Sequence, residues 1–129
     1  MAARNLQPVR ALHPEVVIMP GKFTGNGAAN PTASTRKGRG WSVTYLSSTG
    51  KYRITLTDKF HDLVAFVANV EDLTAPDDWE VTIDSETVAS TRQINVSTWK
   101  GGALADLTSD EKLHFIACLL NTAQLPIRG

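Results

Sequence analysis

The sequence predicts an all-β protein: a single β-sandwich or jelly-roll-like domain carrying an extended N-terminal arm. Three observations lead there. From Trp41 onward, apolar and polar residues alternate with a period of two, the spacing of a half-buried strand. Clusters of Gly, Pro, Asn, Asp and Ser separate these runs at short intervals, as turns do. No apolar pattern of helical period extends beyond two turns. About seven short strands and no long helix fit two packed sheets.

Residues 1–40 read as the arm and residues 41–129 as the sandwich domain. Pro8, Pro14, Pro20 and Pro31 fall in the arm, with Gly21, Gly25, Gly27, Gly38 and Gly40. Such a stretch buries too little apolar area to offset its ordering entropy alone. It is expected to be ordered mainly by what it lies against. Only Val16, Val17, Ile18 and Met19 suggest a strand there, one closed by Pro20 and Gly21.

The domain opens on a hairpin. Trp41, Val43 and Tyr45 alternate with Ser42 and Thr44, a turn follows at residues 47–50, and Tyr52, Ile54 and Leu56 alternate with Arg53, Thr55 and Thr57. Residues 63–70 are almost continuously apolar and predict a central strand covered on both faces. Ala75, Pro76, Asp77 and Asp78 break the chain. Trp79, Val81 and Ile83 are then expected to point inward, with Glu80, Thr82 and Asp84 outward. Residues 91–98 form a further strand, with Ile94 and Val96 on one side. Residues 113–120 close the domain as a strand. A short helix is the alternative there, because Thr108-Ser-Asp-Glu111 has the form of a helix start.

Charge and composition narrow the function. The 129 residues hold 13 basic and 13 acidic side chains, a formal net charge of zero. Neutrality argues against a nucleic-acid partner. No apolar run is long enough to span a bilayer, and the first residues lack the apolar core of a secretion signal. A single cysteine, Cys118, excludes an internal disulfide framework and a cysteine-based zinc site. The zero hides a split, however. Nine basic and two acidic residues give residues 1–60 a charge of +7, and four basic against eleven acidic give residues 61–129 a charge of −7. Either the halves interleave and cancel across strands, or a basic arm seeks an acidic neighbour, including another copy of the chain.

Little points to catalysis. His13, His61 and His114 stand far apart and lack ligand spacing. No Gly-x-Ser-x-Gly elbow is present, and Cys118 lies in an apolar run as a small hydrophobe. The acidic stretch Asp77, Asp78 and Glu80 beside Trp79 suggests a sugar or calcium site, but its alternation reads as a solvated strand face. Trp41, Trp79 and Trp99 read as core residues. No cofactor is expected. Arg36, Lys37 and Arg39, with Arg4 and Arg10 further up the arm, form the candidate contact with an acidic protein surface.

One segment has a family look. Gly50-Lys-Tyr-Arg-Ile-Thr-Leu-Thr-Asp-Lys-Phe60, then Leu63 and Val64, Trp99, Ala103-Leu-Ala-Asp-Leu107 and the closing run through Asn121 resemble small β-structured virion proteins of tailed bacteriophages. The resemblance covers about two-thirds of the chain, from about residue 48 onward. It implies a non-enzymatic capsid decoration (cement) protein, located on the capsid exterior and assembled in the host bacterial cytoplasm. Its implied partners are the major capsid protein and itself, as a trimer or dimer, with no nucleic acid and no membrane. The alternative is a tail- or fibre-associated module that binds carbohydrate or a host receptor.

Overall fold

A computed structural model describes residues 16–73 and 78–121. The protein is all-β, built of two antiparallel sheets. Its strands are β1 (Val16–Thr24), β2 (Trp41–Tyr45), β3 (Lys51–Leu56), β4 (Asp62–Asp72), β5 (Trp79–Glu86), β6 (Gln93–Lys100), β7 (Ala103–Leu104) and β8 (Glu111–Leu120). One sheet has the order β1-β8-β4. The other runs β2-β3-β6-β5, with β7 pairing the end of β6.

Alternation explains how the sheets share one core. Tyr52, Ile54 and Leu56 on β3 and Ile94 and Val96 on β6 are buried, and they meet Leu113, Phe115, Ala117 and Leu119 from β8. Aromatic rings tie the layers together. Phe23 lies 5.8 Å from Tyr52, and Trp41 meets Phe115 edge-on at 4.9 Å, a separation favoured by the ring quadrupoles. The expected β2–β3 hairpin is present, with Trp41 opposite Leu56 and Tyr45 opposite Tyr52.

The segment read as an arm is partly a strand. β1 pairs with β8 along its whole length, from Val16 opposite Leu120 to Thr24 opposite Lys112. It runs straight through Pro20 and Gly21, which were expected to end it. The reason lies at each residue. Pro20 is at the edge of the sheet, where a missing N–H costs no ladder bond. At Gly21 a Cβ would stand 2.5 Å from the Phe115 ring and 2.6 Å from Trp41, so only glycine lets those rings close over the strand. Met19 and Phe23 then join the core, which fixes the segment in place. Residues 1–15, with Arg4 and Arg10, lie outside the described residues.

Two further expectations change. β4 is an edge strand rather than a central one, and Val64 and Val67 are each 60% exposed. Its apolar run carries two sets of side chains, one toward the core and one away from it. Ile83 is 43% exposed, because β5 is also an edge and a register shift between Ile83 and Ser85 turns it. The closing segment is the expected strand and not the alternative helix. Thr108 keeps the helix-start hydrogen bonds all the same: its N–H and hydroxyl both donate to Glu111 Oε1, at 2.7 and 2.8 Å. The turn feeds β8 because Leu113, Phe115, Ala117 and Leu119 bury at a period of two.

Candidate docking surface

The two sheets differ on the faces turned away from the core. On the five-stranded sheet that face is polar and paired within itself. Lys51 Nζ donates to Ser97 Oγ at 2.7 Å, and Ser97 Oγ donates to Asp84 Oδ2 at 2.6 Å. Arg53 Nε donates to Asn95 Oδ1 at 2.9 Å, Asn95 Nδ2 to Ser85 Oγ at 2.9 Å, and Trp99 Nε1 to Thr82 Oγ1 at 2.9 Å. Lys51 and Asp84 join the two oppositely charged halves of the sequence across this face.

The three-stranded sheet presents the opposite character. Register places Ile18, Cys118 and Ala65 in one row and Pro20, Ile116 and Val67 in the next. Ile18 is 42% and Ile116 46% exposed. Exposed apolar side chains that occur singly are ordinary, but a contiguous patch marks a contact surface. Cys118, expected to be buried, is a half-buried free thiol within this patch.

The next rows are charged: Lys22, His114 and Asn69, then Thr24, Lys112 and Glu71. His114 Nε2 lies 2.8 Å from Glu71 Oε1. That hydrogen bond, aided by Lys112 and Lys22 nearby, holds the Glu71 carboxyl below the usual range. A depression of about 300 Å³ opens here between Pro20, Gly21, Lys22, Lys37, Gly38 and His114. A second, of about 260 Å³, continues across Val67, Asn69 and Ile116. The surface is thus an apolar patch with a mainly basic margin.

The loop after β1 supplies part of that margin. Lys37 pairs with Lys22 through two backbone hydrogen bonds, at 3.0 and 2.7 Å. Gly38 then passes over Pro20 and Trp41 with φ +116°, where a Cβ would meet the Pro20 carbonyl oxygen at 2.6 Å. The Arg36 guanidinium lies over the Trp41 ring, 5.7 Å from its centroid, a cation–π arrangement. Beneath Gly38, the buried Trp41 Nε1 has no hydrogen-bond partner.

Of the sequence-named contact residues, Arg36, Lys37 and Arg39 therefore sit together on the loop beside β1. Arg36 is engaged with Trp41, while Lys37 and Arg39 are exposed. The apolar patch itself was not anticipated. Its signal was the second set of apolar residues in 63–70 and 113–120, which were assigned to a core they face away from. Among the described residues no three His, Cys, Asp or Glu side chains gather so as to hold a metal ion, and no helix is long and apolar enough to cross a membrane. No family model, curated protein or solved structure matches the chain.

Proposed function

We propose that this chain is a non-enzymatic structural component of a tailed-bacteriophage virion. Specifically, it is a capsid decoration (cement) protein on the shell exterior, with a β-sandwich body that self-associates and bridges neighbouring major capsid protein subunits. The observation that carries the reading is the apolar patch of Ile18, Val67 and Ile116 on the outer face of the three-stranded sheet. A body with one polar, internally paired face and one apolar face is built to sit on a surface. The occupant assigned to the patch is a capsid subunit offering apolar contacts with carboxylates at their rim, opposite Lys22, Lys37 and Arg39. The resemblance of residues 50–60 and 103–107 to virion proteins adds the phage context.

The test is occupancy on undecorated shells. Val67→Ser combined with Ile116→Ser changes only exposed side chains, so it should leave the fold intact and lower shell affinity at least tenfold. Full occupancy by that variant would sink the reading. Deleting residues 1–15 probes the remaining arm, whereas a deletion reaching residue 36 would remove β1 and part of the core. Raising salt should weaken attachment through the basic margin.

A second reading has one observation in its favour. Trp99, Arg53 and Asn95 all lie on the polar face, a composition suited to sugar. A glycan array separates the two, since saturable binding lost in Trp99→Ala would favour a host-glycan module.

A further inference from the structure

The free edge of β1 carries an inference that rests on the proposed self-association and specifies its geometry. Along β1 the direction of the backbone groups is fixed by two observations. Lys22 exchanges both its N–H and C=O with Lys37, and Thr24 N–H donates to Thr35 Oγ1 at 3.3 Å. Both contacts lie on the side away from β8. Backbone direction alternates along a strand, and the β1–β8 register is unbroken from Val16 to Thr24. Pro20, Ile18 and Val16 therefore also aim their polar groups away from β8. Gly38 occupies the space at Pro20 O and Gly40 approaches Met19. Among the described residues, nothing pairs the edge at Val16 and Ile18.

We propose that β1 of one copy pairs antiparallel with β1 of a second copy about a two-fold axis at Val17. In this register Val16 faces Ile18 of the second copy and the reverse, and each pair exchanges two N–H···O=C bonds. Four hydrogen bonds form without using Pro20, which has no N–H. Two features select a second copy over a foreign strand. The loop at Gly38 bounds the free edge beyond Ile18, and the stretch Val16–Ile18 is matched in polarity by itself. All the side chains brought opposite each other are aliphatic: Val16 and Ile18 on the outer face, and Val17 on the core side beside Leu119. Two of the three other edges, β4 and β5, are guarded. β4 carries a register shift at Leu63/Ala65 and acids at both ends, Asp62, Glu71 and Asp72, and β5 carries a shift together with Glu80, Asp84 and Glu86. Charges and bulges of that kind block edge pairing, and β1 has neither at Val16–Ile18. The result is one continuous sheet, β4-β8-β1-β1-β8-β4, whose two apolar patches lie side by side.

The test uses the full chain. The two Val17 residues form a non-hydrogen-bonded antiparallel pair, with Cα atoms about 4.5 Å apart, within disulfide range. Val17→Cys in a Cys118→Ser background should give a covalent dimer on mild oxidation, and Thr24→Cys in the same background should not. Ile18→Pro removes an N–H that makes no bond within the copy. It should weaken dimerisation at least tenfold in sedimentation equilibrium, with an unchanged far-UV circular dichroism spectrum confirming the fold. No cross-link at Val17, equal cross-linking at Thr24, or undiminished dimerisation of Ile18→Pro overturns the pairing. Val67→Ser with Ile116→Ser should dimerise normally. Failure of shell binding and failure of pairing are thus read in separate experiments.

Discussion

The phenol oxygen of Tyr52, fully buried on β3, accepts a hydrogen bond from the backbone N–H of Leu107 at 2.9 Å. Fifty-five positions apart, the two residues join the central hairpin to the loop that leads into β8. Leu107 is itself fully buried, so its amide has no access to solvent as a substitute.

Tyr52→Phe keeps the ring and orphans that amide. It should cost about 1–3 kcal/mol, read as a lower urea midpoint with unchanged slope. Burial first, then the charge of Asp106, pushes the Tyr52 phenol up to about 12. The folded value lies above the unfolded one, near 10. Its contribution is therefore complete below pH about 10 and is lost between about 10 and 12 as the unfolded chain ionises first. Alkaline denaturation should be less steep in Tyr52→Phe than in the parent. An identical profile would show that Tyr52 is not the linked group.

At Gly21 the smallest addition is a strong perturbation. The methyl of Gly21→Ala would fall 2.5 Å from Phe115 and 2.6 Å from Trp41, two core rings with little room to retreat. Overpacking of this kind costs about 1–3 kcal/mol. A melting temperature equal to that of the parent would show that the rings yield.

Asp106 anchors the turn between β2 and β3. Its Oδ1 accepts the Gly50 N–H at 2.7 Å and its Oδ2 the Tyr45 hydroxyl at 3.3 Å. Asp106→Ala should destabilise by about 1–3 kcal/mol through the unpaired Gly50 amide. It should also lower the Tyr45 phenol, which desolvation and then Asp106 hold above its ordinary value. A urea midpoint checks the first effect and titration of tyrosinate absorbance the second, and an unmoved Tyr45 would count against the bond.

Glu71 sets an acid dependence. Its carboxyl is lowered, chiefly by the bond to His114. A lowered folded value stabilises above the unfolded value of about 4.5 and loses that stabilisation as pH falls through the folded one. Parent and Glu71→Gln should therefore differ in melting temperature near neutrality and converge in acid. A gap that persists in acid would assign the effect to packing instead.

The strands of the body were legible in the sequence because alternation reports burial directly. Trp41–Tyr45 and Lys51–Leu56 pair as the pattern implies, and Ile94 and Val96 point inward as expected. β1 was less legible, since Pro20 and Gly21 are strand breakers by propensity. Their tolerance depends on an edge position and on two rings from distant parts of the chain. The apolar patch was hidden for a related reason: in residues 63–70 a sequence cannot tell a strand covered on both faces from one with an uncovered apolar face.

The sequence by itself determined an all-β chain, most of its strand positions and the basic cluster at Arg36, Lys37 and Arg39. Each depends on spacing or composition within a few residues. Only the tertiary structure decided that β1 lies beside β8, that β4 is an edge, and that Ile18, Val67 and Ile116 form one surface. Those facts depend on which strands become neighbours. Strand order is set by burial summed over the whole chain, a quantity that no local pattern carries.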